Sequence, residues 1–507
     1  MNAGFKGFSP SSLKISALIE RIRPALPKDI PLYLVGGAVR DSMLGRVSHD
    51  LDFALAGNAV RTARHVADSL KAAYYPLHDE FDAGRVIFFE PGNRRYTLDF
   101  TSLRGPDLES DLRGRDFTIN AMAVDIYQPD KLLDPLNGIV DLRYGRIRAC
   151  SPSALCDDPV RILRAVRQAT EFRFQIVPDT RQLICESLPD LTRVSPERMR
   201  DELFRMLSNP QPAVAFRVLD TLEILPYLTP ELPVLKGVSQ SPPHIYDVWN
   251  HTLEVLNKLD ALLEVLRPDY VSDPDVGYSR NLVLGLAVMH LGRYRQQIYD
   301  HLQQDMDPEL SDKPILFLAA LYHDAGKSST YQIDETGRIR FLEHEFVGTQ
   351  MVGERGRALH LSNREIKRLQ IIIRYHMRPL LLCQTGQKPT RRAIYRFFRD
   401  TGEAGVDICL LFLADLLAAY GHTLPQETWV HSLDIVRMLL DTWWEKHETQ
   451  IAPPPFVSGH DMIEIFSLEP GVQIGKLLES VREAQAIGEI TNREDALIFV
   501  QKLLETI

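Results

Sequence analysis

The spacing of hydrophobic and polar positions changes near residue 148. Before that point short apolar runs of strand length are separated by helical stretches, which predicts a small α/β or α+β domain. The predicted strands cover residues 31–35, 49–54, 85–89 and 95–101, and a helix is predicted over 12–26 after a Ser-Pro-Ser-Ser start. From about residue 149 helical periodicity dominates almost to the end of the chain, which predicts an all-α remainder.

Length and proline clusters divide the chain further. A chain of 507 residues is too long for one hydrophobic core. Proline clusters at 226–233, 241–243 and 453–455 interrupt the helical pattern. We therefore predict four domains, with bounds at 1–148, 149–235, 236–425 and 426–507.

Composition narrows the class of protein. A hydrophobic content of 45% and a charged content of 25% are ordinary for a globular protein. The net charge of −10 argues against binding a polyanion over the whole surface, but residues 143–217 carry many arginines and no lysine, which leaves room for a local basic patch. Five cysteines without a C-x-x-C motif favour reduced thiols that are mostly core residues. No run of 18 apolar residues and no apolar leader are present, so we expect a cytoplasmic protein that binds no membrane.

The stretch LVGGAVRDSMLGRVSHDLDFAL, residues 34–55, carries the first candidate chemistry. Gly36 and Gly37 stand between a predicted strand and a predicted helix, where backbone amides can approach a phosphate, although a plain tight turn explains them as well. Asp50 and Asp52 alternate along a strand and therefore point to one face. Paired carboxylates there suit Mg²⁺, and solvated acids on an edge strand are the alternative. Asp99 on a neighbouring predicted strand would supply a third carboxylate or pair with Arg95.

These motifs resemble the signature of class II tRNA nucleotidyltransferases and bacterial poly(A) polymerases. The resemblance implies a polymerase-β-like nucleotidyltransferase head followed by an all-α neck, body and HD-type helical domain. It places Gly36, Gly37 and Arg40 at a triphosphate and Asp50 and Asp52 at catalytic Mg²⁺.

Two further elements of the head follow the same resemblance. The run DLRGRDFTINAMAVD, residues 111–125, is similar to a ribose-contacting element, which implicates Arg115 and Asp116 in nucleotide binding. Gly114 stands where the family has the first arginine of that element. The run DPLNGIVDL, with Asp134, Gly138 and Asp141, resembles a hinge-like element, although a turn is an adequate interpretation.

The stretch CDDPVRILRAVRQA, residues 156–169, is a candidate base-recognition element. If Pro159 opens a helix, then Asp157, Asp158 and Arg161 share one helical face, as a cap with an intrahelical ion pair or as a reader of a base edge. The resemblance favours the second interpretation, with Asp157 steering Arg161 in the selection of CTP or ATP. It also places Arg164 near the triphosphate or primer, and it makes 193–207 a neck helix in which Arg198 and Glu202 are structural.

A third group of residues lies in the helical region. The dipeptide His323-Asp324 in LYHDAGK is informative only together with other histidines and an aspartate along the chain. The order of these residues resembles that of the HD phosphohydrolase superfamily; they are His251, His323, Asp324, His344, His376 and Asp415. Such residues bind one or two divalent metals, here Mn²⁺, Fe²⁺, Ni²⁺ or Mg²⁺, unless the scaffold is degenerate. Lys327 would contact phosphate or end a helix, and His460-Asp461 receives no role. Residues 459–478 resemble the closing segment of fused nucleotidyltransferase–HD proteins, and 266–313 look like an insertion.

The leading hypothesis is a template-independent enzyme that adds C or A, or both, from CTP or ATP to tRNA 3′ ends. In-line attack of the primer hydroxyl would use two Mg²⁺ held by Asp50 and Asp52. The short segment between Asp99 and Arg115 favours a partial enzyme over one that adds CCA. Alternatives are a poly(A) polymerase, an HD phosphohydrolase whose head only binds RNA, and a non-catalytic RNA-binding protein. Expected partners are tRNA or another RNA 3′ end, and no DNA.

Overall fold

A computed structural model describes residues 16–78, 82–90, 94–128, 131–270, 278–303, 312–384 and 386–506. The chain forms two compact units. Unit 1 comprises Met1–Leu203 with Thr221–Tyr227, and unit 2 comprises Phe204–Asp220 with Leu228–Ile507. The four-domain division remains a prediction.

The elements up to the first crossing between units are, in chain order, α1 (Ser16–Ile22), β1 (Leu32–Val35), α2 (Gly37–Met43), β2 (Asp50–Leu55), α3 (Ala59–Leu70), β3 (Ala73–His78), β4 (Ala83–Glu90), β5 (Arg94–Ser102), α4 (Leu108–Arg113), β6 (Ala123–Asp125), β7 (Leu132–Leu133), α5 (Gly138–Arg143), β8 (Arg146–Ile147), α6 (Ala154–Asp157), α7 (Arg161–Phe172), β9 (Gln175–Ile176), α8 (Pro178–Ser187) and α9 (Pro196–Ser208).

The remaining elements are α10 (Pro212–Thr221), α11 (Leu225–Leu228), α12 (Val248–Val265), α13 (Tyr278–Leu291), α14 (Arg295–Leu302), α15 (Lys313–Tyr322), β10 (Tyr331–Ile333), β11 (Ile339–Phe341), α16 (His344–Ala358), α17 (Asn363–Tyr375), α18 (Arg378–Gln384), α19 (Arg391–Thr401), α20 (Ala404–Tyr420), α21 (Gln426–Glu445), α22 (Gly459–Phe466), α23 (Val472–Ile487) and α24 (Arg493–Thr506). The chain passes between the units within α9, α10 and α11.

Unit 1 is built on a seven-stranded sheet with strand order β3-β4-β5-β2-β1-β6-β7. β2 and β5 run parallel, and the other neighbours are antiparallel. Leu51 and Phe53 of β2 are buried, while Asp50 and Asp52 are exposed on the other face. Phe53 stacks on Phe100 of β5 at 4.9 Å between ring centroids. This alternation keeps one face of the central strands free for polar chemistry.

The four predicted strands are present as β1, β2, β4 and β5, with ends shifted by one or two residues. The predicted helix over 12–26 is present as α1 and a 3₁₀ turn at Arg23–Ala25, and residues 12–15 lie outside the described part. β3 was not predicted because Pro76 and exposed residues interrupt its hydrophobic alternation.

Unit 2 is helical around α20, whose residues are almost all buried. Among the described residues, the stretch Ala404–Thr423 is long and apolar enough to cross a membrane, but 83% of its most apolar window is buried in the protein, and a buried core helix passes the same test. A buried ion network ties Arg368 of α17 to Asp312 at 2.6 Å and to Asp407 of α20 at 2.8 Å. His301 lies 3.2 Å from Asp407, so parts of the predicted insertion 266–313 are anchored in the core; residues 271–277 and 304–311 of it lie outside the described part.

Two smaller expectations can be compared with the structure. Asp461 forms a capping box with Ser458 at the start of α22, which accounts for the second His-Asp pair. Of the five cysteines only Cys409 is buried, so the expectation that most of them are core residues is wrong. Cys156 of α6 and Cys185 of α8 are exposed.

Candidate active site and metal centre

Two carboxylates and an arginine of the head lie in a row across three strands of unit 1. Asp52 of β2 stands opposite Asp99 of the parallel strand β5. Asp99 stands opposite Arg85 of β4 and accepts two hydrogen bonds from its guanidinium, at 2.8 and 2.9 Å. Arg85, and not Arg95, is therefore the partner of Asp99.

The charge of Asp52 is unfavourable in this surrounding. Its pKa is raised to about 6, first because the neighbouring protein restricts its hydration, with Asp99 and Asp50 adding negative charge and Arg115 opposing them. The side chain nevertheless reaches solvent on the open face of β2. A divalent cation placed there would relieve the repulsion and hold the carboxylate ionised.

The glycine turn lies directly against this carboxylate. Gly36 precedes α2 with φ of 73° and ψ of −134°, a conformation that L side chains rarely adopt. A Cβ at Gly36 would lie 3.1 Å from Nη1 of Arg115 and 3.4 Å from Oδ2 of Asp52. The missing side chain therefore keeps the space beside Asp52 open, and Gly37 begins the helix.

Arg40 is buried under the turn. Its guanidinium donates to Asp41 at 2.9 and 3.0 Å and to Oδ1 of Asn120 at 2.6 Å. It also lies over the ring of Phe172, 4.4 Å from the centroid. In this conformation the guanidinium of Arg40 is occupied by contacts with Asp41, Asn120 and Phe172. Its predicted place at a triphosphate stays a prediction.

Asn120 connects this region to α7. Its amide nitrogen donates to Asp116 at 3.0 Å and to Gln168 at 3.0 Å, and all three side chains are buried. Arg164 of α7 donates to Asp116 at 3.3 Å and to Glu202 of α9 at 3.2 Å. Burial alone would raise the pKa of Asp116, but Arg164 and the hydrogen bonds hold it below its ordinary value. Asp116 is therefore an ionised support beneath the site.

The predicted single helical face of Asp157, Asp158 and Arg161 is wrong. α6 ends at Asp157, and α7 begins only at Arg161. Asp158 between them is extended, with φ of −146° and ψ of 92°, because the residue before a proline avoids the helical region. The sequence pattern alone could not separate one helix from two short ones.

The partners of the three residues differ accordingly. Asp157 accepts a hydrogen bond from Ser153 at 2.8 Å, and its predicted steering of Arg161 stays a prediction. Asp158 accepts from Arg198 at 2.8 Å, and its Oδ2 lies 3.7 Å from Nε of Arg161. The guanidinium of Arg161 is buried. It donates hydrogen bonds to the backbone carbonyls of Gly114 at 3.0 Å, Arg115 at 3.2 Å and Ala154 at 3.1 Å.

The hinge-like element packs as a capped helix. Asp134 accepts from the backbone amides of Gly138 at 2.6 Å and Ile139 at 3.0 Å at the start of α5. A Cβ at Gly138 would lie 2.1 Å from the carbonyl oxygen of Thr118, so only glycine permits this contact. Asp141 accepts from Oγ1 of Thr118 at 2.9 Å, which fixes the segment that leads to Asn120.

In unit 2 the predicted histidines and aspartates come together. They come from α12, the ends of α15 and α17, the start of α16, and α20: His251, His323, Asp324, His344, His376 and Asp415. Nε2 of His251 lies 2.9 Å from Oδ1 of Asp415, and Nε2 of His323 lies 3.2 Å from Oδ2 of Asp324. His344 and His376 approach each other at 3.4 Å between their Nε2 atoms. We call this group the histidine cluster.

Three histidines of the cluster are oriented by the backbone. Nδ1 of each lies 2.7–2.8 Å from the carbonyl oxygen three residues earlier, in His323 with Ala320, His344 with Phe341 and His376 with Ile373. An Nδ1–H that donates to a carbonyl leaves Nε2 as a free lone pair. Nε2 of His251 lies close to Oδ1 of Asp415, and Nε2 of His323 lies close to Oδ2 of Asp324, but these buried atoms are not aligned as hydrogen bonds, and Nδ1 of His251 is buried without a partner. Buried polar atoms without partners are costly, and a metal ion would satisfy them.

The cluster has room for more than one ion. Ligand atoms of His251, His323 and Asp324 lie within 4.8 Å of one another, as do those of Asp324, His344 and His376. Asp324 belongs to both groups, with Oδ1 3.6 Å from His344 and Oδ2 3.2 Å from His323. Burial alone would raise the pKa of Asp324, but His323 and Lys327 hold it well below its ordinary value. Burial and the neighbouring His344 and His323 lower the pKa of His376 to about 3, so this imidazole is neutral and able to bind metal.

Family models match three segments of the chain. The "Poly A polymerase head domain" matches residues 32–148, the "Probable RNA and SrmB- binding site of polymerase A" matches 173–235, and the "HD domain" matches 248–419. The A-adding tRNA nucleotidyltransferase of Deinococcus radiodurans is 32% identical over 96% of this chain and 98% of its own length. The chain belongs to the tRNA nucleotidyltransferase family.

Other members of the tRNA nucleotidyltransferase family are similar over nearly the same length. The CC-adding tRNA nucleotidyltransferase of Thermus thermophilus is 29% identical over 94% of this chain and 93% of its own length. A CCA-adding enzyme solved in complex with CTP superposes with a TM-score of 0.58 at 20% identity, covering 97% of this chain and 96% of its own. The same fold is therefore shared across the head and the helical region.

Sequence reasoning missed three residues that contact the predicted site residues. Asn120 gives no local signal, because its role depends on partners 48 and 80 residues away. Arg85 pairs with Asp99 across two strands whose register the sequence does not state. His244, seven residues before His251, lies within 4.8 Å of ligand atoms of His251 and Asp415, and this spacing was the available signal.

Proposed function

We propose that the head extends tRNA 3′ ends with nucleotides from CTP or ATP. The observation that carries this proposal is the row of Asp52, Asp99 and Arg85 beside the Gly36 turn and Arg115. Carboxylates that point to solvent from one face of a sheet, next to an open glycine turn, suit a metal and a triphosphate together. The likeness to tRNA nucleotidyltransferases over nearly the whole chain supports the same reaction.

In this proposal the primer 3′-hydroxyl attacks the α-phosphorus of the nucleotide, and pyrophosphate leaves. Asp50 and Asp52 would hold Mg²⁺, which would lower the pKa of the primer 3′-hydroxyl and neutralise phosphate charge. Gly36 and Gly37 would leave space for the triphosphate, and Arg115 would face the nucleotide from the opposite side of Gly36. Asp116 would hold Arg164 and Asn120 in place beneath the ribose contact.

Base selection is proposed for the junction between α6 and α7. The extended Asp158 offers a carboxylate that can accept from an exocyclic amine, as a template base would. Arg161 uses its terminal nitrogens on Gly114 and Arg115, so it connects this junction to the ribose-contacting element. Asp157 at the end of α6 and Arg164 of α7 are the remaining residues of the proposed nucleotide site.

We propose partial specificity, which is the addition of either CC or A. Five residues connect β5 to α4, so this part of the head has no long loop. Curated relatives that match nearly the whole chain include A-adding and CC-adding tRNA nucleotidyltransferases. A multifunctional CCA protein from Nitrosococcus oceani matches over 44% of this chain at 36% identity.

The decisive experiment uses purified protein and three primers: tRNA without its 3′ end, tRNA ending in CC, and a DNA primer of the same acceptor sequence. Each is incubated with CTP, ATP or both. Partial specificity predicts extension of one tRNA by one kind of nucleotide and no extension of DNA. Complete CCA addition overturns partial specificity, long A tails favour a poly(A) polymerase, and no incorporation overturns the proposed reaction.

The helical unit supports a second function. We propose that the histidine cluster binds divalent metal and hydrolyses phosphoesters. The observation that carries this proposal is the convergence of buried atoms of His251, His323 and Asp415 that make no well-aligned hydrogen bond and would suit a metal ion. A bound metal ion activates water against a phosphorus centre. A cavity of about 380 Å³ opens beside the cluster, with Lys327, Arg338 and Arg340 in its wall.

The second function is tested with bis-p-nitrophenyl phosphate and 2′,3′-cyclic nucleotides on metal-reconstituted protein. Chelation is expected to abolish hydrolysis, and Mn²⁺ or Ni²⁺ to restore it. Metal content that stays at background after reconstitution would show that the cluster is a degenerate scaffold.

A further inference from the structure

His244 lies beside the histidine cluster although it is not one of the residues that the sequence motif implies. Its ring meets that of His251 edge to face, with 5.0 Å between centroids and 76° between planes. One ring nitrogen of His244 lies within 4.8 Å of ligand atoms of both His251 and Asp415.

The backbone orients His244 in the way it orients the other ligands. Nδ1 of His244 lies 3.3 Å from the carbonyl oxygen of Ser241, three residues earlier. The same step of three residues connects Nδ1 of His323, His344 and His376 to their carbonyls. With Nδ1–H donating to Ser241, Nε2 is the atom left with a lone pair, as in a metal-binding imidazole.

The neighbours of His244 need a partner. Oδ1 of Asp415 and Nε2 of His251 lie 2.9 Å apart without the alignment of a hydrogen bond, and Nδ1 of His251 is buried without a partner. A cation between His244, His251 and Asp415 would satisfy these atoms together. A purely structural imidazole would instead be expected to donate its own hydrogen bond to the carboxylate, which no contact of His244 shows among the described residues.

We propose that His244 is a further ligand of the divalent-metal centre, on the side of Asp415. This rests on the proposed metal binding of the histidine cluster. A fourth oriented imidazole makes the donor set rich in nitrogen, which favours Mn²⁺, Fe²⁺, Co²⁺, Ni²⁺ or Zn²⁺ over Mg²⁺. The cluster is then a transition-metal centre, unlike the carboxylate site of the head.

The test compares three variants of the full-length protein after chelation and dialysis. His244→Ala removes the proposed ligand, and His251→Ala removes a residue of the cluster itself. His290→Ala is the matched control, because His290 is half-buried and lies 3.1 Å from the carboxylate of Asp434 outside the cluster. Ni²⁺ binding is measured by calorimetry, metal content by mass spectrometry, and the number of imidazole ligands by X-ray absorption.

We expect the affinity of one Ni²⁺ site to fall about tenfold or more in His244→Ala. The X-ray absorption spectrum of this variant should show one imidazole ligand fewer. His290→Ala should match the wild type in both measurements. If His251→Ala weakens binding and His244→Ala does not, the assignment of His244 is overturned and the metal centre stands. If neither variant changes binding, the proposed metal centre fails as well. His244→Gln serves where the alanine variant does not fold, as judged by circular dichroism.

Discussion

The carboxylate site of the head and the histidine cluster of the helical unit both suit divalent metal, but they satisfy their polar groups differently. In the head Asp99 is paired with Arg85, Asp116 with Arg164, and Arg115 with Asp111, so the protein itself balances most charges. In the cluster Nε2 of His251 and Oδ1 of Asp415 lie 2.9 Å apart but are not aligned as a hydrogen bond. The head is therefore an open platform whose charges are mostly balanced, whereas the cluster contains convergent donor atoms that a metal ion would satisfy.

This difference predicts separate sensitivities. The head should depend on the few groups that face solvent, and the cluster should depend on the backbone contacts that aim its imidazoles. Variants of one site should leave the other site unchanged, because the groups of each are held by contacts inside its own unit.

The largest effect is expected from Asp52→Ala. Loss of a metal-facing carboxylate should lower nucleotide incorporation at least about a thousandfold, since transition-state charge is then uncompensated. Metal content of the histidine cluster should stay at the wild-type level. His323→Ala should show the reverse, with metal content lost and incorporation retained. The two sites are not independent if either variant loses both nucleotide incorporation and cluster metal while circular dichroism shows an intact fold.

The second effect concerns Asp324→Asn. Its two carboxylate oxygens face different histidines, at 3.6 Å for His344 and 3.2 Å for His323, so one substitution should weaken both groups of ligands. We expect a loss of metal affinity of about a hundredfold or more, larger than for His344→Ala alone. Asp300→Asn on the surface of α14 is the control. Equal losses in Asp324→Asn and His344→Ala would show that Asp324 serves only one group.

The third effect tests the backbone of the cluster. A Cβ at Gly326 would lie 2.1 Å from the carbonyl oxygen of His344, so Gly326→Ala must displace the start of α16. We expect metal affinity to fall about tenfold, as for loss of an orienting contact. Gly285→Ala on α13 meets no atom within 4 Å and should bind metal like the wild type. Unchanged affinity in Gly326→Ala would show that the position of His344 is adaptable.

The two sites also differ in how far the sequence predicted them. The order of the cluster residues along the chain was enough to name six groups that the fold brings together, because each ends or begins a helix or lies inside one. The D-x-D strand was predictable from its alternation of exposed and buried residues. The junction at Asp158 was not, because a helical pattern and a break before Pro159 give similar periodicity.

Long-range partners were the main part that the sequence did not contain. Asp99 was expected either beside Asp52 or paired with Arg95, and only the register of β4 with β5 selects Arg85. His244 gave one weak signal in its spacing from His251. Contacts such as that of Asn120 with Arg40 depend on how a 3₁₀ turn packs on a helix 80 residues earlier, which periodicity does not describe.

The smallest effect is expected from Asn120→Ala, and it sharpens the view of the head as a self-balanced platform. The substitution leaves the buried Asp116 and Arg40 each without one hydrogen bond, at 3.0 and 2.6 Å respectively. Local opening of α2 should become easier by about 1–3 kcal/mol, the cost of unsatisfied buried groups. Hydrogen exchange of the amides from Gly37 to Met43 measures this, with the exposed Gln128→Ala as the control. If α2 exchanges at the wild-type rate, then the glycine turn is held by the sheet alone, and the buried network does not support the platform.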